Sequence, residues 1–336
     1  MVISMRIAIV GCGSIARVHA ENIWKFENQK LVAFADIISD RAEQFALLYH
    51  GKAYGSYEEM LEQEVIDVLH ICTPHYLHVP MAVYALEHGV HVFMEKPPVI
   101  SKEQLLQLEE INTNRKLGFC FQNRYNPSVV EVKKLLESGE AGDIYGARGI
   151  VTWNRTQPYY TDSGWRGRLA TEGGGALINQ SIHTMDLLTY FLGHPVLVDA
   201  VMANHHLKQT IEVEDMLEAF IRFEKNRKAC FYATTAYTAD VPPLIEISCE
   251  HMTIRIEDLE VTYYYKDGRI VKPAIENIVG LGKSYWGCGH RDCIADFYHS
   301  IENGSRFALD LKGVKDTILL MLGAYSSAGT GQEVLL

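Results

Sequence analysis

The sequence predicts an α/β protein in two parts: a parallel sheet wrapped by helices, then an α/β domain on an open, predominantly antiparallel sheet. Three observations predict it. Over the first ~120 residues short apolar runs alternate with helical stretches, the pattern of β-α-β units. A glycine-rich turn directly follows the first apolar run, at Gly11 to Gly13. Beyond Phe121 the composition shifts to long strand-like segments joined by turns such as "EKNR" and "KDGR". The boundary is drawn after residue 122, giving domains over 1–122 and 123–336.

The elements follow in order. Arg6 to Val10, Leu31 to Ala35, Val68 to Cys72, Val90 to Met94 and Leu117 to Phe121 read as buried strands, because each is a short apolar run bounded by turn signals. Between them Ala16 to Lys25, Asp40 to Tyr49, Val79 to His88 and Lys102 to Thr113 carry helical spacing. After a helix over Pro127 to Ser138, strands are predicted at Gly146 to Arg155, Val196 to Asn204, Met216 to Phe223, Lys228 to Thr235, Leu244 to Cys249 and Val261 to Tyr265. One long helix, Gly175 to Leu192, interrupts them. "LEAFIRF" and "KACFYATT" read as apolar on both alternating sets of positions, so their outer face calls for cover. A homodimer or homotetramer is expected.

Bulk properties narrow the function. With 42 acidic against 31 basic side chains the formal charge is -11, which argues against nucleic acid or an anionic membrane as partner. A small-molecule ligand fits better. The chain shows no run of eighteen apolar residues and no basic cleavable leader before the first strand, so a soluble, cytoplasmic protein is expected. Of seven cysteines, Cys12, Cys72, Cys120, Cys230 and Cys249 fall in or beside apolar runs, as reduced core residues do. "CGHRDC", Cys288 to Cys293, offers metal-ligand types. No fourth ligand pairs with it in sequence, and it reads as the start of a helix running to Ile301, so no metal is assigned.

"IAIVGCGSIARVHA" places Gly11-x-Gly13-x-x-Ala16, with Ser14 and Ile15 between, after a strand and at the start of a helix. Glycines there let the backbone approach a pyrophosphate, whose charge the helix N-terminus stabilises. Asp36 ends the second strand at the distance from which a carboxylate accepts hydrogen bonds from an adenosine ribose. No arginine directly follows it, so NAD is expected over NADP. Thr73 and Pro74 form a turn after another strand, where a nicotinamide ribose would pass, followed by His75 and by His78 at the start of a helix, and all four are expected beside the cofactor. In "HVFMEKPPVI" a strand ends in Glu95 and Lys96, and Pro97 disfavours helical φ/ψ at the lysine, holding it at the carboxyl edge of the sheet. Adjacent strand residues face opposite ways, so Glu95 is expected to anchor backbone or ribose.

Gly11 to Ala16, Thr73-Pro74-His75-x-x-His78, Glu95-Lys96-Pro97 and "EGGGALINQSIHTMDLLTYFLG" together resemble the glucose-fructose oxidoreductase, inositol dehydrogenase and MocA family (Gfo/Idh/MocA) over the whole length. That resemblance implies a Rossmann domain followed by an α/β domain, with Lys96 and His183 facing a nicotinamide across the cleft between domains. Two departures stand out: the family often has asparagine at the position of His75 and aspartate at that of Asn179. Independently, Asn179 and His183 are i and i+4 on one helix and share a face. His183 is the better base for a carbinol proton, and Lys96 would orient the hydroxyl or stabilise alkoxide charge. Asn179, an amide where a carboxylate is common, is expected to fix a substrate hydroxyl.

Substrate contacts are expected from "WNRTQPYYTDSGWRG", where Trp153, Tyr160 and Trp165 could stack on a ring, and from "FQNRYNP", whose Asn123 would lie beside the nicotinamide. Arg124, Arg155, Arg166 and Arg168 hint at a carboxylate or phosphate on the substrate, with Arg124 and Arg166 assigned to the site. The resulting expectation is an NAD-dependent dehydrogenase acting on a carbinol carbon of a sugar, polyol or sugar derivative. Two alternatives stay open: a non-catalytic NAD-binding regulator of the same fold, and a reductase of a non-sugar substrate such as a bile pigment or cyclic diol.

Overall fold

The computed structural model describes residues 4–276, 278, 280–281 and 286–336. The chain divides into two compact units, Met1–Gln122 with His290–Val314, and Asn123–Gly289 with Lys315–Leu336.

The first unit is a six-stranded parallel sheet, β1 (Met5–Val10), β2 (Gln29–Ala35), β3 (Lys52–Tyr54), β4 (Val68–Ile71), β5 (His91–Met94) and β6 (Leu117–Phe119), in the order β3-β2-β1-β4-β5-β6. Its central strands are buried along almost their full length, which explains why they read as unbroken apolar runs. The crossovers are α1 (Ser14–Trp24), α2 (Ser39–Tyr49), α3 (Tyr57–Gln63), α4 (His78–Glu87) and α5 (Lys102–Glu110). Strand order reverses about β1 and β4, so the carboxyl ends of these strands form the ligand crevice of a doubly wound sheet.

The second unit holds a nine-stranded mixed sheet. Its strands are β7 (Ile144–Thr152), β8 (Pro195–Ala203), β9 (Met216–Phe223), β10 (Lys228–Thr234), β11 (Leu244–Cys249), β12 (Met252–Glu257), β13 (Glu260–Tyr265), β14 (Ile270–Val271) and β15 (Val334–Leu335). They run in the order β14-β13-β12-β11-β7-β10-β9-β8-β15, antiparallel except for the β7–β10 pair. Four helices precede or interrupt the strands: α6 (Pro127–Ser138), α7 (Gln157–Thr161), α8 (Leu169–Glu172) and α9 (Ile182–Leu192). Two more close the chain, α10 (His290–Asn303) and α11 (Leu311–Thr330).

Three readings of the sequence change. Residues 290–314, assigned to the second domain, belong to the first unit: α10 buries Cys293, Ile294, Phe297 and Tyr298 and packs on α1. The outer positions of β9 and β10 are not uniformly apolar, because Glu218, Arg222 and Lys228 alternate with Phe220, Cys230 and Tyr232. Cys230 is exposed on that face, whereas the other six cysteines are buried, and no disulfide joins them among the described residues. No helix of the described residues is long and apolar enough to cross a membrane.

Candidate active site

The crevice of the first unit starts at Gly11. Its φ of +84° is a conformation that L side chains avoid, and a Cβ there would come within 2.7 Å of the Cys72 carbonyl oxygen. Gly11 N–H donates to Ala35 O at 2.9 Å, so the turn ties β1 to β2 while lying against the end of β4. Gly13 is the residue before α1 and carries no side-chain cap; a Cβ on it would meet nothing within 4 Å. The amino terminus of α1 therefore borders open space, with exposed Ser14 and half-buried Ile15 in its first turn. Ala16, fully buried, lets α1 approach the sheet.

Asp36 directly follows β2 and is buried, with 8% exposure. Its Oδ2 accepts from Cys12 N–H at 2.8 Å and its Oδ1 from Ile38 N–H at 2.8 Å. These bonds lock the acid against the glycine turn and use two of a carboxylate's roughly four acceptor sites. Uncapped helix amides, an obligatory glycine and an acid at the end of the second strand are a donor and acceptor set that fits a dinucleotide: pyrophosphate on the Gly11 to Ser14 backbone, ribose on Asp36.

Thr73 and Pro74 are half-buried beyond β4, and His75 is buried. His78 differs from its expected place beside a ligand. It has no exposure, and its ring nitrogens each lie 2.9 Å from a protein carbonyl, Nδ1 from Pro97 O and Nε2 from Thr73 O. Burial lowers its pKa, while the two carbonyls, which can only accept, act in the opposite direction. Set between the turn after β4 and the segment after β5, it braces both.

Beyond β5, Glu95 is buried and Lys96 half-buried. Glu95 Oε2 accepts from Lys96 N–H at 3.2 Å and Oε1 lies 2.9 Å from His19 Nε2. The backbone anchor is as expected, but the acid turns inward, so a ribose contact is corrected to a contact with His19. His19 continues the chain, with Nδ1 2.8 Å from His70 Nδ1, and His70 Nε2 2.7 Å from Tyr298 Oη. Cys120 also lies close, its ligand-type atom within 4.8 Å of those of His19 and Glu95. Burial alone would drive the proton from His19; hydrogen bonds to Cys120 and Glu95 raise its pKa to about 9. Glu95 is correspondingly held well below the usual carboxylate range despite its burial.

In the second unit the segment expected as one helix from Gly175 divides. Ala176–Ser181 is a π-helical turn, and α9 continues from Ile182. Such turns are rare and recur at functional sites. Gly174 and Gly175 are required by close approach: added Cβ atoms would fall 2.1 Å from Tyr325 Oη and 2.0 Å from Glu214 O. Buried Glu214 closes the start of this segment, accepting from Gly175 N–H at 2.8 Å, Leu177 N–H at 2.9 Å and Tyr325 O–H at 2.9 Å. Asn179 lies in the π turn and half-buried His183 in the first turn of α9.

Asn179 Nδ2 donates to Glu172 Oε1 at 2.5 Å and lies 3.4 Å from Tyr159 Oη. Glu172 has no exposure, also accepts from Gly167 N–H, and burial raises its pKa to about 7. Over the Tyr159 ring sits the Arg166 guanidinium, 4.4 Å from the centroid, which also stands 5.1 Å from the Trp165 ring. Asn179, Glu172, Tyr159, Arg166 and Trp165 thus form one polar and aromatic cluster.

Several assigned residues lie elsewhere. Tyr160 is a core residue, 3% exposed, packed with Leu207, Ile211 and Val213. Trp153 is buried and donates from Nε1 to Val241 O at 3.0 Å. Neither presents a ring for stacking. Arg124 forms a two-pronged pair with Asp186, Nε to Oδ2 at 2.8 Å and Nη2 to Oδ1 at 2.5 Å, so a substrate role is replaced by a structural one. Arg155 pairs with Asp240 and Arg168 with Glu212. Arg166 alone of these four arginines has no ion pair among the described residues. Asn123 is half-buried in the short turn before α6, its carbonyl accepting from Asn126 N–H at 3.2 Å.

A family model described as "Oxidoreductase family, NAD-binding Rossmann fold" matches residues 5–120, and "GFO/IDH/MocA C-terminal domain" matches residues 129–255. The chain is 32% identical to D-glucoside 3-dehydrogenase of Escherichia coli over 57% of this chain and 55% of that one. It is 28% identical to scyllo-inositol 2-dehydrogenase (NAD(+)) of Bacillus subtilis over 66% of this chain and 64% of that one. These matches span between half and two thirds of the relatives' lengths. Over nearly the full length, 99% of both chains, the structure resembles the WlbA dehydrogenase of Bordetella pertussis solved with NADH and UDP-GlcNAcA, at 26% identity and a TM-score of 0.86.

Proposed function

Because the chain belongs to the Gfo/Idh/MocA oxidoreductase family, which binds NAD on a Rossmann fold, we propose that it is an NAD-dependent dehydrogenase of a carbinol carbon in a sugar, polyol or sugar derivative. The observation that carries this reading is the placement of Gly11, Gly13, Asp36 and Lys96 around the carboxyl ends of one parallel sheet, at its topological switch point. When bound, the nicotinamide supplies the hydride acceptor or donor.

The chain's own residues carry the proton. Oxidising a carbinol removes a hydroxyl proton, and His183 takes it as general base, imidazole being the side-chain type best matched to proton transfer at neutral pH. Lys96 orients that hydroxyl and stabilises the charge it develops. Glu95, fixed by His19, holds the lysine backbone in place. Asn179 holds a neighbouring hydroxyl.

A specific observation favours a substrate that also bears an anionic group. Arg166 lies over the Tyr159 ring with no acid bonded to it among the described residues, which leaves the planar fork suited to a carboxylate or phosphate. The sugar nucleotide named for the WlbA structure is in keeping with this. We further propose a homodimer or homotetramer through the outer face of the nine-stranded sheet, where Tyr145, Val201 and Phe220 are exposed, and a cytoplasmic setting, in keeping with cysteines that lie mostly in the core. Assay of neutral sugars, polyols, uronic acids and sugar phosphates, read at the absorbance of reduced nicotinamide, tests the reading. Turnover of at least one sugar is expected. No turnover alongside tight NAD binding would favour the regulator, and turnover restricted to non-sugars the other alternative.

A further inference from the structure

The carboxyl of Glu172 is an expensive group in its position. It ends the four-residue helix α8, has no solvent exposure, and accepts from Gly167 N–H and Asn179 Nδ2. A buried carboxyl without compensating donors is strongly unfavourable. Gly167 and Asn179 meet that cost, with the Arg166 charge nearby. The geometry also runs in the other direction. A side-chain amide can present either end to its surroundings, and one at a hydroxyl-binding position must present a defined one. The 2.5 Å bond to Glu172 fixes Nδ2 of Asn179 towards the carboxyl and thereby sets which way Oδ1 points. Tyr159 Oη supports the same orientation, standing 3.4 Å from Asn179 Nδ2 and 3.1 Å from Gln180 Nε2.

We infer that Glu172 is a positioning residue for the proposed dehydrogenation: its carboxyl orients the Asn179 amide, one turn ahead of His183, so that the amide oxygen faces the substrate hydroxyls. This rests on the dehydrogenase reading and adds to it a residue that touches neither substrate nor cofactor. Aspartate at position 179 would set two carboxyls against each other unless residue 172 were made an amide at the same time.

The test is a double-mutant cycle on the full-length protein, with NAD titrated by fluorescence and kcat, KM and melting temperature measured for each variant. Glu172→Gln and Asn179→Ala are each expected to lower kcat about tenfold or more, with NAD affinity within about twofold of the unaltered protein. If Glu172 acts through Asn179, Glu172→Gln costs no further turnover in the Asn179→Ala background. The reciprocal exchange, Glu172→Gln with Asn179→Asp, rebuilds a carboxyl–amide pair and is expected to recover kcat and melting temperature above either of its single variants. A full further loss in the Asn179→Ala background, or native kcat in Glu172→Gln, overturns the inference. Should the unaltered protein turn over no sugar, the dehydrogenase reading falls instead. The melting temperatures of the cycle then still decide the pair: additive losses overturn the coupling.

Discussion

Glu95 binds His19 through one carboxylate oxygen, 2.9 Å from His19 Nε2, in surroundings where the histidine has no exposure. The same carboxylate receives Lys96 N–H through its other oxygen. A buried charge pair therefore underlies the backbone of the proposed catalytic lysine.

That pair has a pH signature. His19 is raised in the folded state from 6.5 to about 9. Its contribution is fully present below about 6.5, the unfolded value, and is lost as pH rises through about 9. Glu95 is shifted down, so its contribution is present above the unfolded carboxylate value and lost on acidification. Urea unfolding of the unaltered protein should show falling stability from about pH 7 to about pH 9.5. Glu95→Gln should lower stability by about 3–5 kcal/mol at neutral pH and flatten that slope, since breaking one side of a buried pair strands the other. An unchanged alkaline slope in Glu95→Gln would show that His19 is not the titrating group.

Cofactor choice is expected to lie with Asp36. Its carboxylate is fixed to the Cys12 and Ile38 amides and cannot swing away from a 2'-phosphate. Titration should give NAD affinity at least about tenfold above NADP, and Asp36→Ala should narrow that ratio. Tighter NADP binding by the unaltered protein would remove Asp36 from this role.

Lys96→Ala and His183→Ala should each cut turnover by about 10²-fold or more, as loss of a positioned acid-base group does, while NAD affinity stays near native. Near-native turnover in both variants on the best substrate would make Lys96 a structural residue and defeat the mechanism.

Arg166→Leu should raise KM for a carboxylated or phosphorylated sugar by about 10–100-fold, the equivalent of a charge-assisted hydrogen bond of about 1.5–3 kcal/mol. Neutral sugars should change little. Equal losses on both classes would mean that Arg166 supports the Tyr159 ring and does not read charge.

What was legible in the sequence depended on local chemistry. Gly11, Asp36 and Lys96 each stand beside a strand whose apolar run is unbroken, so the strand end, and hence the crevice, could be located from neighbours alone. His19 and Glu95 are 76 residues apart, and nothing in either's surroundings announces the other beyond a histidine on the apolar face of α1. Glu172 had only its position before three glycines to mark it. Tyr160 is a core residue that the sequence assigns to the substrate, because a helix of five residues, Gln157–Thr161, is too short for periodicity to tell its inner side from its outer. β3 has only three residues and no buried position among them, so no apolar alternation marks it in the sequence. α11, a helix of twenty residues, carries small and hydroxylated residues near its end, which weaken its helical signal in the sequence. Its buried face includes Val314, Ile318, Met321 and Ala324.

The return of α10 to the first unit bears on how the protein is made. Phe93 of β5 meets Phe297 with ring centroids 5.2 Å apart, Phe297 in turn meets Phe307 at 5.2 Å, and Gly118 leaves room for both rings. A ribosome that has released only the first 122 residues has delivered a sheet lacking this cover. The nascent amino-terminal half must wait, with an apolar surface open, until translation has passed through the second unit to about Val314. Chaperone occupancy during synthesis should therefore persist across the whole intervening stretch, and a fragment ending at Gln122 should aggregate where one extended by a tethered 290–314 segment does not.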